Sequence, residues 1–205
     1  TYATQLSIID NYPDYIFGAS QPQHYQFIKD NYPELYERIK KAVKSGNWEA
    51  QGGMWVEADC NLISGESMVR QLLHGKNFFK DEFGVDVDNL WLPDVFGYSA
   101  ALPQILKKSG INYFLTQKLS WSQFNEFPHH TFNWRGIDGT EILTHFPPEN
   151  TYNSELDTEF LIPARDSFKE KDQIDEFISL FGVGDGGGGP KPENIELGRR
   201  MADLE

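Results

Sequence analysis

The feature that most constrains this chain of 205 residues is its punctuation. Glycines and prolines divide it into short apolar segments that alternate between strand-like and helix-like patterns. Tyr15-Ile-Phe17 reads as a short strand. Pro33 opens a helix with Leu35, Ile39, Ala42 and Val43 on one face, and Gly46 stops it. Trp48 to Trp55 is strand-like, interrupted by Gly52-Gly53. Ser64 is placed to cap a long amphipathic helix whose buried side is Met68, Val69, Leu72, Leu73, Phe79 and Phe83, closed by Gly84. Leu90-Trp-Leu92 is a buried strand, Pro103 to Lys108 a short helix, and Asn112 to Thr116 another strand. Phe132 to Trp134 and Ile142 to Phe146 read as two strands around an Asp138-Gly139 turn. Phe177 to Phe181 is expected as a strand, followed by a glycine-rich loop with Gly186 to Gly189 and a helix from about Pro192. Such alternation favours parallel pairing with right-handed crossovers. The fold class is therefore α/β, either an incomplete barrel or an open doubly wound sheet.

Composition narrows the function classes. With 39 % hydrophobic residues the chain can build a core. No apolar run reaches the roughly 18–20 residues that span a bilayer, so no membrane role is expected. The formal charge of −13 repels phosphate backbones, which argues against nucleic acid, whereas a neutral substrate pays no such penalty. The single Cys60 excludes an internal disulfide and fits a reducing compartment, the cytoplasm. Thr1 opens inside a helix-like pattern and the chain stops mid-pattern after Met201, so truncation at both ends is expected.

In parallel α/β folds the ligand site lies at the carboxyl ends of the strands. Three expected strand ends carry acids: Glu57 and Asp59 after Trp55, Asp94 after Leu92-Pro93, and Asp185 after the segment from Phe177. Parallel strands should bring these to one rim. Asp94, held between Pro93 and the Phe96-Gly97 turn, suits a nucleophile or a metal ligand, and equally suits an Asp that caps the turn before Pro103. Glu57 and Asp59 could bind sugar hydroxyls or satisfy their own loop. His129 and His130 are adjacent, point to opposite faces of a strand, and are expected to be structural. His24, His74 and His145 are isolated, so no complete metal site is expected within the chain. Trp121 and Trp134 are expected in the core.

Several motifs together resemble glycoside hydrolase family 38. They are Gly52-Gly-Met-Trp-Val-Glu57-Ala-Asp59-Cys-Asn61, Ser64-Gly-Glu66, Trp91-Leu-Pro-Asp94-Val-Phe96-Gly-Tyr98-Ser99, Phe114-Leu-Thr-Gln117-Lys118-Leu-Ser-Trp121 and Phe127-Pro-His129-His130. The match is closest to the cytosolic and bacterial α-mannosidase branch. The resemblance implies a retaining, exo-acting α-mannosidase that uses zinc and acts on mannose-containing oligosaccharides. It implies an incomplete seven-stranded β/α barrel with mainly parallel strands, residues 1–205 being part of an N-terminal catalytic domain. Asp94 would be the nucleophile and a zinc ligand, and Asp185 the acid/base. Asp59, Phe96 and Lys118 would lie at the substrate. The family's His-x-Asp pair and a further His ligand fall outside these residues, so the chain by itself should lack activity. A polysaccharide deacetylase and a non-catalytic carbohydrate-binding domain are the rival readings; oligomeric state is left open.

Overall fold

The longest helix, α4 (Gly65–Phe83), shows how the sequence sets the frame of the computed structural model, which describes residues 1–185 and 187–203. Ser64 Oγ accepts from the Ser67 amide at its start, and Gly84 ends it at φ 71°, a left-handed turn that glycine enters without steric cost. Met68, Leu72, Gly75 and Phe79 recur at helical spacing and are buried. Gly75 is required by packing. A Cβ there would collide with the Gly53 carbonyl and come within 2.6 Å of the Met54 carbonyl carbon. The 53–56 segment is stitched to the same helix by Trp55 N donating to Gln71 O and Val56 N to Gln71 Oε1, each at 3.0 Å.

Before α4 come α1 (Tyr2–Asn11), β1 (Phe17–Ala19), α2 (Pro22–Asn31), α3 (Pro33–Ser45) and β2 (Trp48–Ala50). After it come β3 (Asn89–Leu92), α5 (Leu102–Lys108), β4 (Tyr113–Thr116) and a 3₁₀ turn (Lys118–Trp121). The chain continues through β5 (Thr131–Arg135), β6 (Glu141–His145), α6 (Thr158–Ser167) and α7 (Pro192–Ala202). One core joins Tyr25, Ile39 and Trp48 to Phe79; a second joins Leu72, Leu90, Leu92, Leu106 and Ile111. Both use α4, whose buried stripe serves the two sheets at once.

The α/β class holds, but the described residues do not form a clear seven-stranded barrel. They form six strands in two sheets: β1 parallel to β2, and a four-stranded sheet in the order β3-β4-β6-β5. β3, β4 and β6 are parallel; β5 and β6 are an antiparallel hairpin around Asp138-Gly139. No ladder joins β2 to β3. Gly52 N instead donates to the Asn89 side chain at 3.0 Å, so a side chain takes the donor a neighbouring strand would use.

The expected strand over Phe177 to Phe181 is also absent. Its donors go elsewhere: Ile178 N donates to His145 Nε2 at 3.3 Å, and the ladder is reduced to one bridge between Ser154 and Phe181. Asp185 consequently follows an irregular segment, and its own φ of 53° lies in the left-handed region. Two helices carry no clear sequence signal. α2 buries just Pro22 and Tyr25, and α6 has Pro163 in its interior.

Candidate active site

Asp94 lies two residues beyond the end of β3, on the rim that parallel strands share. Its turn is clasped from below. The Tyr98 hydroxyl lies 3.0 Å from the Leu92 carbonyl, 2.9 Å from the Val95 carbonyl and 2.5 Å from the Thr116 hydroxyl, tying the ends of β3 and β4 together. Leu92 and Val95 are buried on either side of Asp94, while its own side chain is 48 % exposed. The carboxylate is fixed at its base and open to a ligand at its tip.

One carboxylate oxygen, Oδ1, meets Lys118 Nζ at 3.2 Å and the Tyr152 hydroxyl at 3.4 Å. The Lys118 side chain is 4 % exposed, which is unusual for an ammonium group and needs compensation. Compensation comes from Asp94, from the Tyr152 hydroxyl at 3.1 Å, and from ring faces. Nζ lies 3.6 Å from the Trp121 ring centre, 4.6 Å from that of Tyr152 and 5.4 Å from that of Phe96. Burial alone would lower the Lys118 pKa; the hydrogen bonds to Tyr152 and Asp94 outweigh it and hold the pKa above the usual value. Phe96 and Trp121 meet edge-to-face at 5.5 Å, and both are exposed. Trp121 thus lies outside the core. Trp134, by contrast, packs against it.

Glu57 is the second acid of this rim. Burial pushes its pKa up to about 6; Ser20, whose hydroxyl donates to Oε1 at 2.7 Å, opposes the rise, and the charge of Asp94 adds to it. Asp59 has a local role: its Oδ1 accepts from Asn61 N at 2.8 Å and Leu62 N at 2.7 Å, closing its own exposed loop. Asp185 stands next to Gly184, whose amide donates to Asn153 Oδ1 at 2.6 Å. A Cβ on Gly184 would come within 2.6 Å of Tyr152 Cε2. Tyr152 therefore stands between Asp94 and the Asp185 loop. A cleft of about 340 Å³, lined by Trp91, Pro93, Tyr152, Asn153 and Gly182 to Gly184, opens along the same edge.

His129 and His130 serve the scaffold. Glu170 accepts from His129 Nδ1 and from the amides of His130 and Thr131, all at 3.0 Å. Zinc in a structural site takes four ligands and in a catalytic site three protein ligands plus an open position. Among the described residues no three His, Cys, Asp or Glu side chains converge, and Lys118 already sits against Asp94. These residues do not make a metal site by themselves; Asp94 is one ligand at most.

Nothing in the sequence marks Tyr152, a tyrosine in a loop with no motif around it. Its role becomes visible when β4 and the 148–153 loop are placed side by side. Lys118 follows Phe114-Leu-Thr-Gln117 at the end of a buried strand, and its resemblance to a family motif is the signal that marks it.

An acid, a buried cation and aromatic faces thus stand together at the ends of parallel strands of an α/β scaffold. The whole chain, residues 1–205, matches the glycosyl hydrolases family 38 N-terminal domain, and it belongs to that family. It is 52 % identical over 196 residues to alpha-mannosidase G of Dictyostelium discoideum, covering 96 % of this chain and 18 % of that protein. It is 45 % identical over 205 residues to alpha-mannosidase 2C1 of Homo sapiens, covering 100 % of this chain and 20 % of that one. The chain thus spans about a fifth of the length of these curated relatives. Among solved structures, it superposes on an alpha-mannosidase from Enterococcus faecalis V583 with TM-score 0.75 at 21 % identity, covering 98 % of this chain and 23 % of that chain. A 4-alpha-glucanotransferase from Thermococcus litoralis gives TM-score 0.66 at 15 % identity, covering 98 % and 32 %. At those identities the two structures speak for the fold alone.

Proposed function

We propose that this chain carries the reacting carboxylates of a retaining, exo-acting α-mannosidase, with Asp94 as nucleophile and Asp185 as acid/base. The observation that carries the reading is the setting of Asp94: fixed at a strand end, open at its tip, and paired at 3.2 Å with a buried lysine. Asp94 attacks the anomeric carbon of a terminal α-linked mannose, and Asp185 gives its proton to the departing oxygen. A glycosyl–Asp94 ester forms as the glycosidic bond breaks. Asp185 then takes a proton from water, which attacks the same carbon, releases mannose and restores Asp94. Lys118 keeps Asp94 in position, and its charge favours the carboxylate that attacks and that the second step restores. Phe96 and Trp121 offer apolar faces to the sugar ring. Asp59 is the remaining candidate at the substrate, a role supported by resemblance more than by its local turn.

Zinc belongs to this reading as a group for which Asp94 is one ligand and residues outside 1–205 are the others. Mannose-containing oligosaccharides are the proposed substrates, in keeping with the relatives' name of alpha-mannosidase. The cytoplasm is the proposed compartment, supported by the lone, buried Cys60 thiol. No helix of the described residues is long and apolar enough to cross a membrane.

The test is chemical rescue in the full-length protein. Asp94→Gly should lower cleavage of p-nitrophenyl α-mannoside by 10³-fold or more, on the order of what loss of a nucleophile costs. Azide should restore turnover and yield β-mannosyl azide. Rescue at Asp185→Gly with that same inverted product, and none at Asp94→Gly, would reverse the assignment.

A further inference from the structure

The Tyr98 hydroxyl touches both strands that shape the site, and its single proton decides how. Two of its neighbours, the carbonyls of Leu92 and Val95, can only accept. The Tyr98 proton must therefore point at them, and the Thr116 hydroxyl at 2.5 Å must donate to the Tyr98 oxygen. Burial holds the Tyr98 pKa above the usual phenol value, so that proton stays in place. A one-way chain of hydrogen bonds results, from Thr116 on β4 through Tyr98 to the two carbonyls on either side of Asp94.

The two ends of this chain are the two halves of the site. Leu92 ends β3 and Val95 follows Asp94 directly, so the carbonyls they offer define the turn from which the carboxylate rises. Thr116 is fully buried, ends β4 and stands two residues before Lys118. Tyr98 thus fixes the base of the Asp94 turn against the strand end that leads into Lys118, and Asp94 and Lys118 meet at 3.2 Å. The ring that carries the hydroxyl is itself held. It meets Phe114 edge-to-face at 4.9 Å and Trp134 at 6.4 Å, and the Tyr98 backbone bridges to Cys60. Gly97, at φ 140°, lets the chain turn back so that the tyrosine lies beneath the turn it clasps.

We propose that Tyr98 is a positioning residue of the reaction: acting through the Asp94 turn, it sets where the attacking oxygen stands relative to Lys118 and the anomeric carbon. The inference rests on the reading of Asp94 as nucleophile and deepens it. The test is steady-state kinetics of the full-length protein on p-nitrophenyl α-mannoside, with mannose as a competitive inhibitor and kcat expressed per folded molecule from circular dichroism. Tyr98→Phe should lower kcat by roughly 10- to 100-fold, since a displacement of about 1 Å at an attacking atom costs up to about 100-fold. KM and the inhibition constant of mannose should stay within about twofold, because the sugar keeps its own contacts. Thr116→Val should lower kcat severalfold, and Thr116→Ser, which keeps the donor, should recover that loss. The double variant should be no slower than Tyr98→Phe alone, because one hydroxyl carries both links.

A Tyr98→Phe enzyme with kcat unchanged, or with KM raised at constant kcat, would overturn the proposal, as would losses at Tyr98 and Thr116 that simply multiply. If Tyr98→Phe does not fold, the Thr116 pair decides: equal kcat in Thr116→Val and Thr116→Ser counts against the relay. Failure of the underlying reading is separate, since it shows as full activity in Asp94→Gly, whereas an inactive Asp94→Gly beside an unimpaired Tyr98→Phe sinks the role of Tyr98 alone.

Discussion

Lys118 carries the sharpest electrostatic demand in the site, because an ammonium at 4 % exposure depends on whatever neutralises it. Asp94→Asn removes that counter-charge while leaving Tyr152 and the ring faces in place. The variant should be less stable by about 1–2 kcal/mol, below the roughly 3–5 kcal/mol of a fully buried broken pair because Asp94 is half exposed. Adding Lys118→Met removes the stranded charge and should recover most of the loss; urea unfolding of the four members of the cycle measures it. Glu57 gives a pH signature of its own. Its folded pKa of about 6 lies above the usual value for a free glutamate of 4.5, so the folded state holds the proton more tightly. The stabilisation is full below the unfolded pKa and is lost as pH rises to 6. Between pH 4.5 and 6 the protein should lose about 1–2 kcal/mol relative to a Glu57→Gln variant, read from paired denaturation curves. Of the site residues, Asp94 and Phe96 are legible in the sequence as an acid and a ring after a buried strand. Tyr152 is not, since its place is set by contacts 58 residues away in the chain.

Among the elements, those with both a period and a cap can be read in advance. α3 and α4 start and stop within a residue or two of their proline, serine and glycine signals, and the β5–β6 hairpin forms around Asp138-Gly139. α2 is hidden because its sequence is largely polar and its cap position, Gln21, adopts φ 64° without a side-chain cap. The segment from Phe177 misleads for the opposite reason: it has the apolar run of a strand, yet its amide is taken by a histidine ring. The close approach of α4 to residues 53–55 makes its own prediction. Gly75→Ala would otherwise be a helix-favouring change worth up to about 1 kcal/mol. Here the added methyl meets backbone that cannot move aside, so the variant should lose about 2–3 kcal/mol instead. Thermal unfolding would read this as a drop of several degrees. A rise in the midpoint would mean that α4 and the Gly53 segment are not in contact.

Across the whole molecule, the two sheets and the loops over them are joined by a few polar links, and His145 is one that responds to pH. Its Nδ1 pairs with the Thr131 hydroxyl at 2.8 Å, and its Nε2 accepts from the Ile178 amide at 3.3 Å, a bond that a protonated ring cannot make. Burial pulls the His145 pKa down to about 4. The stabilisation is full above the unfolded value of 6.5 and is lost as pH falls through 4. Hydrogen-exchange protection of the Ile178 amide should therefore fall over that window while the cores around Leu72 and Phe79 remain protected. Parallel pairing of β3, β4 and β6 was legible from the alternation of segments. The division into two sheets was not, because a strand's pattern does not say which edge it will join.

In the proposed mechanism Asp94 and the Asp185 loop, both against Tyr152, work on one glycosidic bond in two displacement steps. Proton NMR of the first sugar released from an α-mannoside by the full-length enzyme tests it most directly. Two displacements give α-mannose first, with the β anomer growing in as the sugar equilibrates in solution. β-Mannose as the first product would mean a single displacement by water, and Asp94 could not then be the nucleophile.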